Sequence, residues 1–382
     1  MTGVLAPLRV AHLIHRLEFG GAEALLVELG RVAYDLDLRL LVVSLTRVRD
    51  RRYLRQLEAA GADVLSLELP SRWDPRAFTR AVPALAAWRP AVIHTHLKHA
   101  DLVGAVAARR LGVPMVSTLH LIEDAPTPVG RLKRRAAAAA RRSTAVRTIA
   151  VSDELRRWYV RTFPADPARV VTVHNGVPRP PEQSPAARAR VRAEVGVPQT
   201  AVLAVQVGLL RPGKGHADLL AALRTVPPEI GLYVVLAGDG PLRAELEAAA
   251  RLLPRPERVR FAGFRDDVPA LVDAADLVVH PSHVDALPTA LLQALAAGRP
   301  IVATRAGGIP EIVTPDVGVL VDPGDVPALS RALAELAGDP GRRAQLGAAA
   351  TDRFMTHFDV YLWAQRLRRV YEEVLDACPA EA

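Results

Sequence analysis

The sequence predicts an α/β protein built from two doubly wound, parallel-sheet domains, and three observations carry that expectation. At 382 residues the chain exceeds one ordinary core and suits two domains of roughly 150–200 residues each. Short apolar strands alternate with amphipathic helices along almost the whole length, the pattern of βαβ units. The alternation breaks once, at Pro178-Arg-Pro-Pro-Glu-Gln-Ser-Pro185, where neither helix nor central strand is comfortable, and then restarts.

In the first half the strand candidates are Val10–Ile14, Leu38–Leu45, Val64–Leu67, Ala91–Thr95, Met115–Thr118, Thr148–Val151 and Val170–Val173. Helical periodicity fills the gaps, as in Ala22–Ala33, Pro75–Trp88 and Ala100–Leu111. After the proline-rich break come Ala201–Val207, Tyr233–Ala237, Val259–Phe261, Leu277–His280, Ile301–Ala303 and Gly318–Val321. The expected division is a first domain over 1–180, a second over 181–355, and a closing helical segment over 356–382 that crosses back to the first domain. Thr356–Leu375 reads as one long helix carrying Trp363 and Tyr371. Two such domains imply a cleft, and ligands of doubly wound sheets bind beyond the carboxyl ends of the strands.

Composition narrows the function classes. No stretch approaches the roughly 18 uninterrupted apolar residues of a membrane span. Met1 to Arg9 lacks the charged-then-apolar layout of a signal peptide, and the single cysteine, Cys378, excludes an internal disulfide. A reducing, cytoplasmic setting is expected. The formal charge of +8 is spread along the chain with acidic residues interleaved. Its densest run, Arg131-Leu-Lys133-Arg134-Arg135 and then Arg141-Arg142, flanks five alanines and reads as a solvated helix face. A peripheral contact with an anionic membrane is the second reading, for this run or for Arg72, Trp73, Arg76, Phe78 and Arg80. No aromatic platform or zinc-knuckle spacing accompanies the charge, so no nucleic acid partner is expected.

Positive charge is nearly all arginine; the three lysines are Lys98, Lys133 and Lys214, and Asn175 is the one asparagine. Each survivor of so biased a composition has a local reason to be kept. Lys214 lies in Val207-Gly-Leu-Leu-Arg-Pro-Gly-Lys-Gly215, a Gly/Pro loop after a strand, with Arg211 beside it. Cations and helix N–H groups there suit a pyrophosphate leaving group without a metal. The spacing is not that of the phosphate-binding P-loop, since His216 follows Gly215. Gly20-Gly21-Ala22-Glu23 opens a helix after the first strand, where glycines admit a close phosphate. His94 and His96 share one face of a strand end, with His99 following, and count as lining of the cleft; no carboxylate stands at metal spacing, so no metal is assigned. His120 follows another strand and points the same way. In Pro281-Ser-His-Val-Asp285-Ala-Leu-Pro288, Asp285 sits on a tight loop to accept from sugar hydroxyls, and Gln293 two turns into the next helix reaches ribose hydroxyls.

These landmarks, in this order, resemble the family 4 retaining glycosyltransferases over essentially the whole chain. Beyond the segments above, the match runs through Ile93-His-Thr-His96, Val151-Ser152, His174-Asn175-Gly176-Val177, Gly238-Asp-Gly-Pro241-Leu and Val259-Arg-Phe-Ala-Gly263. It ends with Ala296-Ala-Gly298-Arg-Pro300-Ile-Val-Ala-Thr304 and Gly307-Gly308-Ile-Pro310-Glu311. The resemblance implies a GT-B fold, two Rossmann-like domains facing across a cleft. It implies transfer of a sugar from a UDP or GDP donor to a lipid-linked, saccharide or small-molecule acceptor, with no cofactor, in polysaccharide or glycoconjugate synthesis. Gly20 and Gly21 would approach the donor phosphates, Lys214 the diphosphate, His120 the donor sugar, Asp285 its hydroxyls and Gln293 the ribose. Three positions depart from the family pattern. Leu209 replaces the arginine after the glycine matching Gly208, Asp285 and Gln293 replace two glutamates, and Ala286 replaces a glycine. They motivate one alternative, a degenerate member that binds a nucleotide sugar or partner enzyme without turnover. A nucleotide-sugar epimerase is the lesser alternative.

Overall fold

A computed structural model of the chain describes residues 6–17, 20–48, 51–71, 73–122 and 127–378. The chain divides into two compact units, Met1–Gly176 with Val360–Ala382, and Val177–Asp359.

In the first unit seven parallel strands, β1 (Leu8–Ile14), β2 (Leu38–Thr46), β3 (Asp63–Leu69), β4 (Val92–His96), β5 (Met115–Leu119), β6 (Ala145–Ala150) and β7 (Val170–Thr172), stand in the order β3-β2-β1-β4-β5-β6-β7. Alternation divides each strand between two apolar layers. Val10 and Ile14 of β1 and Val92 of β4 pack with Leu25, Leu29 and Trp363 on one face. Ala11, Leu13 and Ile93 pack with Ala81, Leu85 and Val103 on the other. The same parity puts His12, His94 and His96 on the first face. Thr95 and Ser117 stand on the second, where both hydroxyls donate to Asp101 Oδ1 at 2.6 Å.

The expected single helix over Thr356–Leu375 is in fact two, Pro340–His357 and Val360–Asp376. Phe358, only 1 % exposed, interrupts them, and its carbonyl accepts the Val177 N–H at 3.0 Å. Burying an aromatic ring at that point outweighs continuing the helical hydrogen bonds. The second of the two helices packs against Gly21–Ala33 through Trp363, Leu367 and Tyr371, and Tyr361 donates to Asp35 at 2.8 Å.

In the second unit β8 (Val202–Val207), β9 (Leu232–Ala237), β10 (Val259–Gly263), β11 (Leu277–His280), β12 (Ile301–Thr304) and β13 (Gly318–Val321) are parallel in the order β10-β9-β8-β11-β12-β13. That is the order of the first sheet without its seventh strand. Pro185 is not linker: it takes the first position of helix Pro185–Glu194, where its missing N–H costs nothing, and Ser184 caps the helix. Strand order reverses between β1 and β4 in one unit and between β8 and β11 in the other, the two places where such sheets bind ligands. Among the described residues no helix is long and apolar enough to cross a membrane.

Candidate active site

The second sheet presents its chemistry on the loops that follow β8 and β11. Lys214 Nζ meets Asp285 Oδ2 at 2.5 Å, and His280 Nε2 lies 3.0 Å from the same oxygen. Burial pushes the Asp285 carboxyl up, but His280 and Lys214 outweigh it and hold the group at about 2. His216, next to Lys214, is lowered to about 4 by burial and by the neighbouring His280 and Lys214.

The backbone is arranged to hold this pair. Gly213 accepts from the His283 N–H at 2.9 Å and from Ser282 Oγ at 3.0 Å, and Gln206 Nε2 donates to the Lys214 carbonyl at 2.9 Å. Gly215 has φ +68° and lies against the Pro281 carbonyl, so any side chain there would be strained and would strike backbone. Gly307, at φ +53°, packs in the same way on the Asp285 carbonyl, which also accepts the Gly308 N–H at 3.0 Å. The Gly307-Gly308 motif therefore supports the carboxylate-bearing turn. Arg211 is exposed at its loop tip, and among the described residues its side chain makes no hydrogen bond or ion pair. Gln293 is half-buried in the helix Thr289–Ala296, and Leu209 is 53 % exposed.

In the first unit, histidines converge where β1, β4 and β5 end. His12 Nδ1 lies 2.9 Å from His96 Nε2, and His96 Nδ1 lies 2.9 Å from His120 Nε2. His94 stacks on His96 with centroids 4.4 Å apart, its nitrogens 2.7 Å from Tyr371 Oη and Thr118 Oγ1. Desolvation keeps all four rings neutral: His12 falls to about 3 and His120 to about 4, with His94 and His96 lowered as well. Nitrogens of His12, His94 and His96 come within 4.8 Å of one another, close enough to hold a metal ion. Both ring nitrogens of His94 and of His96 are, however, engaged by side chains, and of the three rings His12 alone keeps a nitrogen, Nε2, with no partner among the described residues. His99 is apart from the group, its ring 4.8 Å from Trp73.

Other candidates are rearranged. Gly20 is the N-cap of Gly21–Ala33 in extended backbone that any residue adopts. What a side chain there would strike is Glu23, folded back in the position of a capping-box glutamate. Arg141 is not part of a solvated face: it is 5 % exposed, paired with Asp101 Oδ2 at 2.6 Å and donating to Tyr159 Oη at 3.1 Å. Lys133 lies over the Trp73 ring at 4.0 Å. Arg76 pairs with Asp74 at 2.6 Å, Arg80 donates to the Leu67 carbonyl at 2.9 Å, and Phe78 packs on the core. Arg72 lies outside the described residues.

Three participants had no local signal in the sequence. His12 is visible only once the β1–β4 register sets it beside His94, and Tyr371 lies 277 residues from the ring it bonds. His280 looks like an ordinary strand end until the loop brings Asp285 back to it.

Two doubly wound parallel sheets, one with a cation and carboxylate at its switch point and one with neutral imidazoles, fit a glycosyltransferase of the GT-B class. The chain belongs to glycosyltransferase family 4. The model "Glycosyltransferase Family 4" matches residues 19–179 and "Glycosyl transferases group 1" matches 187–353. A D-inositol 3-phosphate glycosyltransferase of Xylanimonas cellulosilytica is 34% identical over 314 residues, 72% of this chain and 73% of that protein. An alpha-maltose-1-phosphate synthase of Mycolicibacterium smegmatis is 32% identical, over 74% of this chain and 79% of its own length. Among solved structures, Anabaena HepE in complex with UDP aligns with a TM-score of 0.83 at 25% identity, covering 96% of this chain and 100% of that one.

Proposed function

We propose that the chain moves a sugar from a uridine diphosphate donor to a hydroxyl acceptor, with retention at the anomeric carbon and without a metal ion. The observation that carries this reading is the Lys214–Asp285 pair at the switch point of the second sheet. An ammonium has three N–H donors, and Lys214 spends one on Asp285, so two remain for the diphosphate oxygens. His280 and Lys214 both meet Asp285 Oδ2, which leaves Oδ1 to accept from a sugar hydroxyl. As the bond from the anomeric carbon to the diphosphate oxygen breaks, the acceptor oxygen bonds that carbon on the same face. Its proton passes to the departing phosphate, so no side-chain base is needed. Arg211 adds a second cation at the loop, Gln293 hydrogen-bonds the ribose, and Gly20 and Gly21 lie at the donor phosphates. His120 donates to a sugar hydroxyl.

The UDP complex of HepE supports the choice of nucleotide. The names of the two relatives add a phosphorylated small molecule to the lipid-linked and saccharide acceptors. The reaction is assigned to the cytoplasm, with peripheral membrane contact through the start of the helix Pro128–Thr144. There Val129 and Leu132 are 59 % and 68 % exposed beside Arg131 and Arg135.

A thermal-shift panel of nucleotide diphosphates and nucleotide sugars, run with EDTA, tests the donor. Stabilisation by UDP is expected; a shift with GDP alone would replace the base, and no shift at all would overturn the reading. The product's anomeric configuration, read by NMR, tests retention. The exposed Leu209 and the uncharged Gln293 favour a second reading, binding without turnover, and transfer from any nucleotide sugar by the wild-type chain excludes it.

A further inference from the structure

The three rings His12, His96 and His120 form a single hydrogen-bonded file, with both links at 2.9 Å and both head to tail from Nδ1 to Nε2. A neutral imidazole has one N–H, so the two links must run in the same direction. In one direction His12 donates to His96 and His96 donates to His120, whose own proton is then on Nδ1, off the file. In the other, His120 donates inward and the file ends in an N–H at His12 Nε2.

The inner end decides between them. His12 is 0 % exposed, and among the described residues its Nε2 has no partner. It stands beside a cavity of about 10 Å³ lined mainly by apolar side chains, Leu25, Leu29, Ile149, Trp363 and Leu367 among them, with Thr118 and Asn175 as polar members besides the rings. That volume is at the lower limit for one water. Leaving a bare lone pair there is the cheaper defect, because orphaned buried N–H groups are the rarer kind. Burial keeps every ring in the file neutral, so the one-proton count holds at pH 7. His94 cannot short-circuit it, since its nitrogens are taken by Tyr371 and Thr118.

We propose that His96 and His12 are positioning residues that hold His120 as the Nδ1–H tautomer, turning that N–H outward as a fixed hydrogen-bond donor. Free neutral histidine prefers the Nε2–H form, so the file imposes the less common tautomer and gives it a readable signature. The consequence for turnover rests on the proposed role of His120 at the donor sugar; the tautomer itself does not.

The test uses the full chain labelled with ¹⁵N-histidine. Long-range ¹H–¹⁵N spectra at pH 7 should show His120 protonated on Nδ1 in the wild type; protonation on Nε2 overturns the proposal without any variant. His96→Leu removes the donor to His120 Nε2. It should shift His120 towards Nε2–H and lower kcat about tenfold, the worth of one oriented hydrogen bond, with KM for the nucleotide sugar within about twofold. His96→Asn places an amide N–H near the position of Nδ1 and should restore both the tautomer and most of kcat. Should His96→Leu fail to fold, the wild-type spectrum and the Asn variant still decide. An unchanged tautomer or an unchanged kcat in folded His96→Leu overturns the positioning role. A wild type that transfers no sugar, yet shows the Nδ1–H signal, instead indicts the proposed function and leaves the tautomer assignment standing.

Discussion

The two sheets share a strand order, yet their switch points are prepared by opposite electrostatics. Beyond β8 and β11 the protein keeps a full charge pair, Lys214 with Asp285, in a partly buried place. Beyond β1 and β4 it collects four imidazoles and strips them of charge by burial. Topology decides where a ligand can sit, and it leaves open how the site is polarised. The second edge has the cation suited to a leaving group that accumulates negative charge. The first has neutral, directional hydrogen-bonding groups, which are suited to hydroxyls and add no positive charge.

The largest expected effect tests the charged edge. Lys214→Ala should lower kcat by about 10²–10³-fold, as expected for a lost electrostatic donor to a developing charge. Near-normal turnover would mean that the second edge does not work by charge. On the first unit a buried ion pair has a different task, and Arg141→Met should separate the two. It leaves Asp101 buried with only Thr95 and Ser117, at a cost of about 3–5 kcal/mol in denaturant melts, while the folded fraction keeps its kcat.

Acid sharpens the contrast. Rings whose pKa is lowered below the ordinary 6.5 favour folding above pH 6.5, and that contribution is lost as pH falls towards their folded values near 3–4. At pH 5 each of the buried His12, His94 and His96 that stays neutral opposes folding by about 2 kcal/mol relative to pH 7. Asp285, lowered from 3.8 to about 2, keeps its contribution until the pH falls below 3.8. The second unit has His216 as its one comparable ring. Hydrogen exchange at pH 5 should therefore show loosening first in the strands β1, β4 and β5, with β8 and β11 protected. Simultaneous loosening would erase the distinction. The smallest effect expected is at the surface. Reversing Arg131 and Arg135 to Glu should reduce flotation with anionic vesicles by roughly fivefold per charge at low salt, leaving turnover on a soluble acceptor unchanged.

Thirteen strands and the proline-rich break were legible in the sequence, because strands buried on both faces must be almost continuously apolar and the turns between them are not. Lys214 and Asp285 were legible as candidates because rarity and position single them out, although nothing local says that they touch. The break at Phe358 was hidden, since a helical pattern runs through it and what accompanies the break, burial of the ring and the bond from the Val177 N–H, is long-range. The burial of Arg141 was hidden for a related reason. Seen alone, a basic run is a surface, and Asp101, forty residues earlier, is what draws one member of it inside. The histidine file needed register across three strands, information that no single stretch of chain holds.

The helix Val360–Asp376 has an implication for how the molecule is made. It completes the first unit, yet the ribosome produces it only after all of the second unit, Val177–Asp359. The second unit can therefore fold on the emerging chain while the apolar face of β1, β4 and β5 is covered by the helix Gly21–Ala33 but still lacks Trp363, Leu367 and Tyr371. Tyr371, the partner of His94, arrives among the late residues. Assembly order is thus the reverse of sequence order: the charged edge is finished early, and the imidazole edge is sealed only after the tail helix has been made.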